Sequence, residues 1–198
     1  MGFRRFLTAS TATVLVLAGT AGPARAATTY DTPPGGVLYN CTFPGVGPQP
    51  VTAVAEFTGP DGVAAGSTFP ITGISGTIYL GTTTRNLMRA LGYDGVRGTG
   101  MVPVTASNAT LDSSTGGTIP EQYWPPLTGT IGFAAGSESF VAGGPGVIVF
   151  GTGTPFSLTL QFHRAPNNTW TTAWVSSCTL KVTSPAQNTL FSPDLLVT

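Results

Sequence analysis

Apolar and polar residues alternate with a period of two through most of this chain. The clearest run is 156–163, where Phe156, Leu158, Leu160 and Phe162 fall on one face and Ser157, Thr159, Gln161 and His163 on the other. That pattern predicts a strand with one buried and one wet side. Two further runs repeat it, 51–58 with Val51, Ala53, Ala55 and Phe57 on one face, and 74–80 with Ile74, Ile78 and Leu80. Less regular strands are predicted at 37–43, 96–110, 128–134, 147–150, 170–182 and 190–197. Turn-forming clusters separate them at 59–62, 113–117, 143–146 and 166–168. Trp170 and Trp174, four apart on one predicted strand, share a face, and a buried face is the predicted home of both.

One segment departs from the period. Residues 84–92 hold good helix formers between a Thr84 cap candidate and a terminating Gly92, which predicts a short helical crossover whose Leu87, Met88 and Leu91 plug one end of the fold. Many short strands with one helix describe an all-β domain, a sandwich of antiparallel sheets. The domain is predicted over 37–198, and 27–36, with Pro33-Pro34-Gly35-Gly36, as a flexible lead-in.

The start of the chain reads as an export signal at 1–26. Arg4 and Arg5 form its charged beginning, 7–19 a weakly apolar stretch and Ala24-Arg25-Ala26 a small-residue cleavage box. A transmembrane anchor is the competing reading, but the run is short and broken by Thr, Ser and Gly. General secretion and a twin-arginine route both fit the paired arginines, with general secretion ranked first. No other stretch is long and apolar enough to span a bilayer, so no transmembrane anchor is expected after cleavage.

Charge then sharpens the picture. The 198 residues include only eight basic and eight acidic ones, far below the roughly 25% usual in soluble proteins. Three of the cations lie within 1–26, so the exported chain has a net charge of −3. Thr, Ser, Asn and Gln must solvate strand faces that charges commonly cover. Nucleic acid is a poor partner for such a surface; an extracellular or cell-envelope polymer is a better one.

The chemistry available is sparse. Cys41 and Cys178 are the only cysteines, and in an oxidising compartment one disulfide joining them is the simplest outcome. In the chain-entropy model such a loop contributes roughly 5 kcal/mol. A reactive thiol would need a Cys-x-x-Cys spacing or an activating His, and neither is visible. His163, the one histidine, sits on the wet face of its strand and no Gly-x-Ser-x-Gly elbow occurs, so an exposed, uninvolved His163 is expected rather than a Ser-His-Asp site. Asp61, Asp94, Asp112, Glu121 and Glu138 could supply a carboxylate pair for glycoside hydrolysis, although turn chemistry accounts for the aspartates. No ligand-spaced acidic run suggests calcium, and no metal or cofactor is expected.

The most distinctive surface candidate is Glu121-Gln122-Tyr123-Trp124-Pro125-Pro126. Tyr123 and Trp124 on a proline-stiffened segment could present flat rings to sugar or peptide at small entropic cost. The competing reading packs one ring under the domain edge, with the prolines guarding that edge.

Three stretches together resemble a family of secreted actinobacterial domains of unknown function that open on a Tyr-x-Cys-x-Phe-Pro segment. They are Tyr39-Asn40-Cys41-Thr42-Phe43-Pro44, then 86–91 with Val96-Arg97-Gly98-Thr99, and finally Ser177-Cys178-Thr179-Leu180 with Gln187-Asn188-Thr189. The match covers 37–198 and departs at the Trp-rich stretch 170–174 and between Cys178 and Gln187. The resemblance implies an extracellular immunoglobulin-like sandwich closed by Cys41 and Cys178, with no catalytic residues. The functional expectation is a secreted, non-enzymatic protein with a structural or adhesive role at or near the cell envelope. A carbohydrate-binding module using Tyr123 and Trp124 is the alternative, and a secreted hydrolase the third reading.

Overall fold

The computed structural model describes residues 26–198, so the expected signal at 1–26 lies outside the described residues except for Ala26. The chain begins with β1 (Ala27–Asp31), β2 (Val37–Phe43), β3 (Gly47–Pro60), β4 (Gly62–Val63) and β5 (Thr68–Leu80), then turns into α1 (Thr82–Ala90). Its middle comprises β6 (Tyr93–Thr99), β7 (Val104–Ala106), β8 (Ala109–Ser114), β9 (Gly117–Tyr123), β10 (Thr130–Ala135) and β11 (Ser137–Ala142). β12 (Gly146–Ile148), β13 (Phe150–Thr152), β14 (Phe156–Arg164), β15 (Thr169–Trp170), β16 (Trp174–Leu180) and β17 (Leu195–Val197) complete it.

The all-β expectation with one helix agrees with this structure, but the immunoglobulin-like sandwich does not. The main sheet runs β3-β2-β16-β14-β6-β9-β10-β5 and returns through a β3–β5 pairing, closing eight antiparallel strands into a barrel. Closure depends on long strands with two partners. From Ser75 onward β5 has β3 on one side and β10 on the other; its first half pairs instead with β11, which carries β8. The far half of β3 likewise holds β1. Inward and outward residues alternate in both barrels and sandwiches, so periodicity alone does not distinguish them. Gly76 is part of the closure: a Cβ there would run into the Val54 carbonyl oxygen and the Phe133 ring, so a larger residue would hold β3 and β5 apart.

Two groups of aromatic rings fill the interior. Inside the barrel, Tyr39 meets Phe156 edge-on at 5.0 Å, and Phe162 is surrounded by Phe43, Tyr93 and Trp124. Under the β1 and β11 extension, Tyr30 stacks on Phe57 at 5.0 Å and both meet Phe150 edge-on. The predicted inward faces of 51–58, 74–80 and 156–163 are all buried. Two short sheets, β12-β17-β4 and β7-β13, cover the extension.

Several expectations are corrected. Residues 27–31 form β1, with Tyr30 fully buried, in place of a flexible lead-in; the hydrogen bonds of β1 to β3 and the stacking of Tyr30 outweigh its polar composition. The helix starts three residues earlier than predicted, with Gly81 at its N-cap in place of Thr84. Of its apolar residues only Met88 is buried, while Leu87 and Leu91 are exposed, because the helix lies across the barrel end on one narrow stripe. Trp170 and Trp174 do not share a buried face. They belong to separate strands, Trp170 half-buried and Trp174 exposed.

Candidate functional site

The outer face of the barrel over β6, β9, β14 and β15 brings Asp94, Arg97, Glu121, Tyr123 and His163 into one cluster. Two bulges, one in β6 and one in β9, build it. His163 pairs with Gly95 and Arg164 with Tyr93, leaving Asp94 as an extra residue. On the other side, Val96 pairs with Gln122 and Gly98 with Ile119, so Arg97 faces both Pro120 and Glu121. Bulges of this kind re-aim side chains. The first brings Asp94 onto His163, and the second brings Glu121 onto Arg97.

His163 is 5% exposed, which corrects the expectation of a free, solvent-facing imidazole. Its Nδ1 lies 2.6 Å from Asp94 Oδ1 and its Nε2 3.0 Å from Asn168 Oδ1. Tyr123 and Trp170 stand edge-on to its ring, at centroid distances of 5.0 and 5.2 Å. The Asp94 hydrogen bond raises the His163 pKa above its usual range, against an opposing effect of burial, with Asn168 adding to the rise. Gly95 makes room for the assembly, since a Cβ there would lie 3.1 Å from the Tyr123 ring and 3.2 Å from His163 Cβ.

Tyr123 is 53% exposed, yet it is held at each end. Its hydroxyl donates to Glu121 Oε1 at 2.9 Å, which raises its pKa, and its ring rests against His163. Glu121 also pairs through Oε2 with Arg97 at 3.1 Å. The Arg97 guanidinium lies 4.3 Å above the Trp170 ring and donates from Nε to Gln161. Tyr123, Glu121, Arg97, Trp170 and His163 therefore form a closed circuit of contacts.

The predicted pair of rings is divided. Trp124 is only 5% exposed, donates its indole N–H to the Thr130 carbonyl at 2.7 Å and packs toward Phe162. It does not share the surface with Tyr123, because adjacent residues of an extended chain point to opposite faces; the bulge at Pro120–Glu121 sets which of the two points outward. Cys41 and Cys178 are disulfide-bonded, directly opposite each other on β2 and β16.

The remaining carboxylates lie apart. Glu138 is 2% exposed in β11, accepts from Ser114 and leaves Oε2 without a partner; burial raises its pKa. Asp61 sits in the turn after β3, and Asp112 is exposed on β8. Asp94 and Glu121 share the site, but each is committed to a basic partner. His163 Nε2, the position from which a base would act on a serine, is occupied by Asn168. Among the described residues no group of three or more His, Cys, Asp or Glu side chains is placed to hold a metal ion. Two clefts lie elsewhere, one of about 520 Å³ between Ala27, Pro60, Val63 and Phe69 and one of about 420 Å³ beside Asp31 and Glu56.

Sequence reasoning identified Tyr123 and missed Asp94, Arg97, Asn168 and Trp170 as its companions. Pro120 and Gly95 inside strands were the available signals, since each marks a bulge or a close approach. Residues 38–192 match the model of a protein family described as being of unknown function. No curated protein and no solved structure matches the chain.

Proposed function

The chain belongs to the family of unknown function DUF6801, and from that premise, which supplies no activity, we propose a secreted, non-enzymatic binding module that contacts uncharged, hydroxyl-rich polymer such as a glycan of the cell envelope. The carrying observation is the state of Tyr123, half-exposed but fixed by Glu121 at its hydroxyl and by His163 at its ring. An exposed aromatic ring that is already ordered loses little conformational entropy when a sugar face stacks on it. Glu121, Arg97 and Gln161 surround it with donors and acceptors suited to hydroxyl groups. Export and an extracellular location are part of the proposal. The Cys41–Cys178 disulfide suits an oxidising compartment, and among the described residues no helix is long and apolar enough to cross a membrane.

Retention of the purified protein on insoluble cellulose, chitin and peptidoglycan tests the reading. Wild type is retained on at least one of them, and Tyr123→Ala lowers retention by about tenfold or more, the loss usual for a central aromatic contact. Tyr123→Phe, which keeps the ring, retains most of it. A wild-type protein that passes through all three matrices removes the proposal.

A further inference from the structure

The imidazole beneath the Tyr123 ring has an oxygen at each nitrogen. Asp94 Oδ1 faces Nδ1 at 2.6 Å and Asn168 Oδ1 faces Nε2 at 3.0 Å. Two acceptors require two N–H groups, and only the protonated ring has both. We propose that His163 is a positioning residue whose doubly bonded, protonated ring fixes Tyr123 and Trp170 as one platform, so that the platform's order is set by pH. The inference rests on the binding reading above for its biological use, but not for its geometry.

The coupling follows the contacts. In the neutral ring Nδ1–H stays on Asp94, and Nε2 turns a lone pair toward Asn168 Oδ1. Contact is then lost unless the Asn168 amide turns over. Asn168 sits at φ 50° in the tight turn between β14 and β15, two residues before Trp170, which pairs directly with His163 across the strands. Trp170 in turn supports Arg97, Arg97 holds Glu121, and Glu121 holds the Tyr123 hydroxyl. Releasing Asn168 therefore loosens both edges of the platform. A protonated ring also attracts the two neighbouring aromatic rings more strongly than a neutral one. The charged groups around His163 act in the same direction: Asp94 comes from β6 and Glu121 from β9, both carboxylates. Tyr123 of β9 keeps its proton on Glu121, Arg97 of β6 is neutralised by that same carboxylate, and Arg164 of β14 turns away over the Tyr93 ring. The upward shift of the His163 pKa agrees with this arrangement.

His163 is the only histidine in the chain, so its ring protons can be followed by NMR without overlap from another imidazole. Between pH 5 and 9 the expected midpoint lies above 6.5, and the Tyr123 ring and Trp170 indole signals move with that same midpoint. Asp94→Asn should lower the midpoint by about one unit or more. Asn168→Gly, which tolerates the positive φ, should leave His163 titrating and keep the direct His163–Trp170 contact, while reducing how far the Trp170 signal moves with the titration. Should Asp94→Asn fail to fold, the Asn168→Gly result decides alone. A midpoint at or below 6.5, or a titration that leaves Tyr123 and Trp170 unmoved, overturns the inference. Retention on peptidoglycan and chitin at pH 5.5 and 8.5 is measured in parallel. If the rings follow His163 but no matrix retains the protein, the positioning role stands and the glycan reading falls.

Discussion

Tyr123 and Trp124 are adjacent in sequence and stand back to back through the barrel wall. The Tyr123 hydroxyl donates to Glu121 on the outside, while the Trp124 indole N–H donates to the Thr130 carbonyl on the inside. One bulge in β9 decides which ring meets solvent.

The two positions should therefore respond to truncation in opposite ways. Trp124→Ala removes a buried ring and its hydrogen bond, at a cost of about 3–5 kcal/mol. Tyr123→Ala leaves stability within about 1 kcal/mol and acts on polymer retention. Urea unfolding of both variants checks this, and equal destabilisation would contradict the assignment of inside and outside.

Barrel closure can be probed at a single glycine. Gly76→Ala places a methyl group against the Val54 carbonyl and the Phe133 ring, and destabilisation of about 2 kcal/mol or more is expected. Gly144→Ala, where a Cβ meets nothing within 4 Å, should change stability by less than about 1 kcal/mol. Similar unfolding midpoints for the two would count against close β3–β5 contact.

Replacing both Cys41 and Cys178 by Ala should cost about 2–5 kcal/mol, the usual consequence of losing a native bridge over a long loop. The bond spans 137 residues of sequence. Thermal unfolding measures the loss, and thiol titration of the unfolded, unreduced wild type should find no free cysteine.

Stability should decline from mildly acidic toward alkaline pH. Glu138 and His163 both have folded pKa values raised, by burial for Glu138 and by Asp94 for His163. A raised value means that the folded state binds the proton more tightly. The contribution of Glu138 is therefore complete below about 4.5 and that of His163 below about 6.5, and each is lost as pH climbs through the folded value. Urea midpoints from pH 4 to 8 should fall, and Glu138→Gln should remove the part of the fall attributable to the buried carboxyl. Tyr30, pushed up to about 12 by burial and then by Asp61, adds a second decline between pH 10 and 12. That decline should be absent in Tyr30→Phe.

The strands that carry the core were legible in the sequence because Phe156, Leu158, Leu160 and Phe162 keep an unbroken period. Closure was not, since it depends on β3 meeting β5, and no local pattern records which long strands become neighbours. The site was half legible for a related reason. Tyr123 could be singled out by composition, but bulges at Asp94 and Pro120–Glu121 break the alternation from which the facing of side chains is read. His163 illustrates the result: its position in the strand correctly places it outward, while the ring of neighbours that buries it comes from three other segments.

The ring of strands has one seam where the beginning of the chain meets its end. β2 is joined there to β16, and the disulfide crosses that same join. No growing or threading chain can complete the circle before residue 180 has arrived, however well its earlier hairpins have formed. The oxidised bridge thus locks the one join that needs both ends of the barrel sequence, and a nascent fragment lacking β16 is left with two unpaired margins, on β2 and β14.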